Sequence, residues 1–401
     1  MATITENLKT IKDSTMAIKQ AIIDKGGEVG DLTTYDDAIA NLPSGGGDVN
    51  PIAEKNDVTF YDYDGTIRYS YTKSEFLALS EFPPLPRQQG LICQEWNWSF
   101  EDAMEYVAEY GVLDVGATYI TDDGKTRLYI RIAAEGRMDV PLYFQQTVAN
   151  GVTIDWGDGS ATETLSGTGN VNTTHRYTST GDYMISLDVA SGCTLGLGHN
   201  SSNYCVMGSN VNNERIYCNM LQKVEIGIGV TLVTNYAFKN CSSLSSVVMP
   251  NSVTSIGNSA LYGCSFLSSV VIPKTVTSIG STVFRGCSSL SSVVMPNSVT
   301  SIGSEVFYMC YTLSSVVIPK TVTSIGNNTF SNCYGMAFYD FSNHTSVPTL
   351  SNTNAFTNIP SDCKIIVPDN LYNTWIAATN WSTYASYIIK KTDWDASINN
   401  Q

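Results

Sequence analysis

The sequence predicts a multidomain, β-rich chain: an N-terminal helix, a small α+β domain, a β-sandwich, and a repeat solenoid closed by a C-terminal cap. Three observations carry this prediction. Cys241, Cys264, Cys287, Cys310 and Cys333 recur every 23 residues, and a fixed period marks one packing position repeated coil after coil. Upstream, Val152, Ile154 and Trp156 alternate with polar residues and run into Asp158-Gly159, the pattern of a half-buried strand entering a turn; that this strand belongs to a sandwich is what a resemblance given below implies. Finally, Pro43-Ser-Gly-Gly-Gly-Asp48 is a flexible linker that sets a helically spaced N-terminus apart from the rest. The resulting boundaries are 1–43 for a helical attachment or oligomerisation segment, 44–50 for the linker and 51–126 for the α+β domain. The sandwich takes 127–200, the solenoid 201–362 and the cap 363–401.

In the first segment Ile4, Leu8, Ile11, Ile18 and Ile22 follow helical a/d spacing, broken by Ser14 and Thr15. Such a stripe forms a short parallel coiled coil or packs on the short helix suggested by 34–43; both readings stay open. Gly26-Gly27 ends it. In the α+β domain Val58-Thr-Phe-Tyr-Asp-Tyr-Asp-Gly reads as a strand into a turn, and Ser99 caps a helix with apolar residues at helical spacing. Asp62, Asp64, Glu101 and Glu105 fall at turns and on a solvated helix face, which argues against a paired-carboxylate active site.

The sandwich adds His175-Arg-Tyr177 and Gly181-Asp-Tyr183 to its Trp-Gly-Asp-Gly strand end. From Cys241 onward the template is C-x-x-L-x-x-V-x-[IM]-P-x-x-V-T-x-I-G-x-x-x-[FL]. Leu244, Val247 and Met249 mark a strand ended by Pro250, which cannot donate to a ladder. Val253, Ile256 and Leu261 point inward again, and Gly257, Gly280, Gly303 and Gly326 sit at a tight corner. Leu221 to Asn240 fits the same columns as a degenerate first coil without a cysteine match. Alternate copies share M-P-N-S or I-P-K-T, so the duplicated unit is 46 residues. The cap combines a strand from Cys363 with a helix whose Tyr372, Trp375 and Trp381 shield the open end, as a solenoid requires.

With the core positions inside, Ser246, Val248, Ser269, Val271, Ser292, Val294, Ser315 and Val317 face outward, and Lys274 and Lys320 punctuate the same edge. This file is either an ordinary solvated surface or an interaction surface covered by another copy, another domain or a ligand. The ten cysteines are read as buried free thiols, since zinc sites call for pairs two to four apart.

Against 22 Lys+Arg stand 37 Asp+Glu, a formal charge of −15. That balance removes the attraction that nucleic acid or an anionic membrane would need. No apolar run is long enough for a membrane span, and the polar start does not read as an export signal. The expectation is a soluble protein made in a cytosol, without membrane insertion. His175, His199 and His344 lie in different neighbourhoods, and no nucleophile elbow, zinc pair or phosphate loop occurs. No enzymatic activity, cofactor or metal is expected.

Three resemblances sharpen these readings. The 23-residue template is similar to the BspA-like leucine-rich repeats of bacterial surface proteins and of phage and prophage structural genes; it covers about 221–391 and implies adhesion or protein binding. The Trp156-Gly-Asp-Gly-Ser, His175-x-Tyr177 and Gly181-x-Tyr183-x-Ile185 pattern is similar to the PKD-type β-sandwich. That resemblance implies a spacer or adhesion module in which Trp156, His175 and Tyr177 are structural; calcium at Asp155 and Asp158 would have two carboxylates where six to eight oxygens are wanted. Ile4-Thr-Glu-Asn-Leu-Lys-Thr-Ile-Lys-Asp-Ser and Ala17-Ile-Lys-Gln-Ala-Ile resemble the leading segment of phage tail-fibre and related virion proteins, which implies attachment to other virion proteins. The expected function is therefore a phage virion structural protein of tail- or head-fibre type, made in the host cytoplasm, displaying the solenoid to a host-surface protein or glycan. By analogy with fibres it is a homo-oligomer, a trimer. The alternatives are a bacterial BspA-like cell-surface adhesin and a purely structural capsid or tail decoration protein.

Overall fold

The computed structural model describes residues 56–199, 204–209 and 215–399. In the first of these stretches, the opening strand is buried on both faces. Val58 and Phe60 of β1 (Val58–Tyr61) are fully buried on one side of a sheet. β1 pairs antiparallel with β2 (Ile67–Tyr71) and parallel with β4 (Leu113–Thr121), and β3 (Leu91–Trp96) lies antiparallel to β4. The helix Phe100–Tyr110 starts where Ser99 accepts from the Asp102 amide at 3.1 Å and stops at Gly111. Its Ala103, Tyr106 and Val107 close over Phe60, Phe76 and Trp96 in one aromatic core. Asp64, Glu101 and Glu105 are exposed as expected, but Asp62 is not at a solvated turn. It is fully buried, accepting 2.7 Å bonds from Arg68 Nε and Gln88 Nε2, the pairing that a buried carboxylate needs.

Two sheets then run from the sandwich straight into the solenoid. The first orders β8 (Glu163–Thr164), β7 (Val152–Asp155), β10 (Gly181–Val189), β5 (Thr126–Ile132), Leu221–Glu225 and Ser246–Val248. The second begins with β9 (Gly169–Arg176), β6 (Asp139–Gln146) and β11 (Leu195–Leu197). It continues through Val230–Val233 into the second strand of each coil, from Ser255–Ile256 to Thr349–Leu350. Pairing is antiparallel within the sandwich; at the joint β5 meets Leu221–Glu225 antiparallel while Leu195–Leu197 meets Val230–Val233 in parallel, and beyond it the solenoid is parallel from Lys223–Glu225 against Ser246–Val248. One apolar core extends from Leu128 to Ile388. The sandwich is thereby the N-terminal closure of the solenoid core.

Each coil is built from the same few contacts. The Sγ atoms of Cys264, Cys287, Cys310 and Cys333 donate at 3.2 Å to the carbonyls of Phe238, Leu261, Phe284 and Phe307 in the preceding coil. Burial pushes the Cys287 and Cys333 thiols up to about 12, so these sulfurs remain protonated donors. Phe284, Phe307, Phe330 and Phe356 stack with centroids 5.3–5.6 Å apart. A Cβ on Gly257 would lie 2.5 Å from the Asn235 amide nitrogen of the coil below, so the corner glycine sets how closely coils approach.

The far end is closed by Lys364–Val367, the short helix Tyr372–Ala377, the added strand Ile388–Lys390 and the helix Lys391–Asn399. Trp375 and Trp381 are fully buried and Tyr372 half-buried; Trp381 Nε1 donates to the Pro348 carbonyl at 2.7 Å. Among the described residues no helix is long and apolar enough to cross a membrane.

Candidate functional site

The outward Ser/Val file is occupied by the chain itself. Val248, Val271 and Val294 are only 1%, 6% and 2% exposed. Val248 joins the core of the α+β domain, and Val271 and Val294 pack on Tyr61 and Ile67. Burial of each valine contributes about 1.5–3 kcal/mol. Gly116 makes the approach possible, because a Cβ there would fall 2.5 Å from Val271 Cγ1.

Polar groups fix the register of this contact. Asn97 Nδ2 donates to the Ile272 carbonyl at 3.3 Å, and the Ser269 hydroxyl to the Tyr63 carbonyl at 3.1 Å. Lys274 Nζ lies 2.6 Å from Glu95 Oε2, whose other oxygen accepts from Asn251 Nδ2 at 2.7 Å. Lys320 Nζ stands 5.7 Å from the centre of the Tyr106 ring. Ser246, Ser292, Ser315 and Val317 are half-buried along the same file. Val248, Val271 and Val294 are covered by side chains of residues 58–119 of the same chain. The oligomerisation candidates Ile4, Leu8, Ile11, Ile18 and Ile22 lie outside the described residues.

A different edge of the solenoid remains open. At each corner a residue takes left-handed backbone: Tyr236, Ser259, Thr282, Glu305 and Asn328, with φ between 53° and 65°. Three positions on, Lys239, Tyr262, Arg285 and Tyr308 form a file in which cations alternate with rings. Lys239 Nζ is 5.5 Å and the Arg285 guanidinium 5.7 Å from the Tyr262 ring centre, and Arg285 is 4.6 Å from that of Tyr308 while pairing with Glu305. Beside this file Phe266 is 67%, Tyr311 40% and Tyr334 58% exposed, the two tyrosines stacked 5.5 Å apart. Exposed rings beside cations suit a ligand that has a flat apolar face and a negative group. These residues fill a variable column of the template, so the motif does not mark them. Their regular spacing inside an otherwise near-identical repeat was the available signal.

The sandwich candidates meet in a structural cluster. His175 stacks on Trp156 at 4.7 Å and its Nε2 lies 2.7 Å from Asp158 Oδ2, while the Tyr177 hydroxyl donates to the Trp156 carbonyl at 2.8 Å. Burial opposes the charge of Asp158, but hydrogen bonds from Ser160 and His175 outweigh it and bring the carboxyl down to about 2. Asp155 accepts from the Gly157 amide at 2.9 Å. Both carboxylates thus hold the turn together. His199 Nε2 donates to the Val171 carbonyl at 3.0 Å, and His344 is buried against the cap.

Among the described residues one group of metal-ligating side chains converges: the sulfurs of Cys205, Cys218 and Cys241, all buried and within 4.8 Å of one another. Cys218 stands one 23-residue period before Cys241. The first coil therefore does carry the ladder cysteine that the template reading left out.

Residues 210–337 match the BspA type leucine-rich repeat region in six copies. Among solved structures the chain is similar to a leucine-rich repeat protein of T. pallidum, with 28% identity over 37% of this chain and 78% of that one and a TM-score of 0.30. It is also similar to a leucine-rich cell surface protein of Faecalibacterium prausnitzii, with 32% identity over 34% of this chain and 44% of that one and a TM-score of 0.28. No curated protein matches the chain.

Proposed function

We propose that this chain is a non-enzymatic adhesion protein that binds a surface protein or glycan through the open corner edge of its solenoid. The observation that carries the reading is the alternating file of Lys239, Tyr262, Arg285 and Tyr308, flanked by exposed Phe266, Tyr311 and Tyr334. An apolar-faced ligand with a carboxylate would stack on the rings and pair with the cations. The BspA type repeat region supports adhesion as the general role. The resemblance of the N-terminal segment favours a phage fibre made in the host cytoplasm and attached through that segment to other virion proteins, with trimeric assembly by analogy. The repeat region fits a bacterial cell-surface adhesin at least as well, so that second setting is retained.

Binding of the labelled full chain to a glycan array and to whole bacterial cells tests the site. Saturable binding weakened tenfold or more by combined Tyr308→Ala and Arg285→Ala is expected. Undiminished binding by that variant would move the site elsewhere, and no saturable binding to either probe would remove the adhesion reading. Immunogold labelling of the native protein on purified particles or on the cell envelope separates the two settings.

A further inference from the structure

The thiol ladder changes character at the joint between sandwich and solenoid. From Cys264 upward each sulfur donates to a carbonyl of the preceding coil. At the first rung the partners are other thiols: Cys205, from the Tyr204–Cys205 strand, places its Sγ 2.7 Å from that of Cys218, at the end of the helix Arg215–Cys218. Cys241 is the third member, with all three sulfurs within 4.8 Å.

The geometry separates two chemistries. Two thiolates on one tetrahedral zinc ion, with bonds of about 2.3 Å, stand roughly 3.8 Å apart. A disulfide needs about 2.0 Å, and the observed separation of 2.7 Å is nearer to that. We propose that Cys205 and Cys218 are an oxidisable pair that forms a disulfide as the chain folds, stapling the entry segment to the first coil while Cys241 stays reduced.

The oxidant is a small-molecule disulfide of the glutathione class. One thiol of the pair gives up its proton and its sulfur attacks one of the reagent's sulfurs, giving a mixed disulfide and releasing one thiolate. The other thiol then gives up its proton, and its sulfur displaces the second thiolate from the first. Two protein thiols are oxidised to one disulfide, and the reagent is reduced to two thiols. The bond closes a loop between positions 13 apart, tying down the segment through which the sandwich hands its core to the solenoid.

The test refolds the reduced full chain in a buffer of oxidised and reduced glutathione and counts thiols after denaturation, with peptide mass mapping and metal analysis on the same sample. Of ten cysteines, eight are expected to titrate, the missing two being joined as a Cys205–Cys218 peptide; Cys218→Ser should titrate nine with no cross-link. Ten free thiols in the refolded wild type, a cross-link that uses Cys241, or a stoichiometric metal ion with all thiols reduced would each overturn the proposal.

Discussion

At the scale of single residues, His344 shows how far burial can take a side chain from its ordinary chemistry. It is packed against Phe341 and Trp375 in the cap, with Nδ1 3.0 Å from Asn343 Oδ1. Desolvation outweighs its backbone hydrogen bonds and lowers its pKa from 6.5 to about 4. Below 6.5 the unfolded chain takes up a proton that the folded one refuses, so stability falls with falling pH until the folded value is reached. The loss amounts to roughly 3 kcal/mol across that window. Urea unfolding at several pH values should show this slope in the wild-type chain and a flatter one in His344→Gln; equal slopes would mean that the ring is not buried neutral. Nothing around His344 in the sequence announces this, because the template has decayed there and the aromatic partners arrive from the cap. Cys218 is the opposite case: its 23-residue spacing from Cys241 was there to be read, although the template left it out.

At the scale of elements, the contact between the α+β sheet and the valine file depends on the absence of a side chain at Gly116. Gly116→Val would drive a branched side chain into Val271, whose Cγ1 lies 2.5 Å from the position of a Cβ. Overpacking of this kind costs about 1–3 kcal/mol. The expected result is a lowered melting temperature with faster hydrogen exchange in strands 246–248, 269–271 and 292–294, partly reversed when Val271→Ala is added. Unchanged exchange in those strands would show that the two layers are not packed as described. The valine file itself was readable from period-two alternation, since Val248, Val271 and Val294 had to face away from the core. Its covering by Tyr61, Ile67 and Gly116 was not, because contacts between residues 61 and 294 leave no local pattern. Exposure inferred from a strand's outward face is exposure of that layer, and a second layer can still remove it.

At the scale of the whole molecule, continuity of the sheets and core determines how the chain should unfold. Stacked repeats gain stability mainly from their neighbours, so an uncovered first coil would lose a partner. Here β5 pairs with Leu221–Glu225, and β11 with Val230–Val233, so the sandwich supplies that partner on both sheets. Arg127 reinforces the seam, donating to the Gly90 carbonyl at 2.9 Å and reaching Glu225 at 3.3 Å, so three parts of the chain meet on one guanidinium. Sequence motifs divide this region into modules because each has its own local signature. The antiparallel joint pairs residues nearly a hundred positions apart and carries none. Leu128→Ala in the sandwich and Leu313→Ala in the solenoid, both fully buried in the common core, should each cost about 2–5 kcal/mol. With a shared core, both substitutions should lower the midpoint of the same denaturant transition, followed by sandwich and solenoid probes alike. Two transitions, with each substitution moving only its own, would mean that the joint transmits little stability. The distinction also governs functional work, since a fragment beginning at Leu221 would leave Leu221, Val224 and Val230 without the strands that cover them.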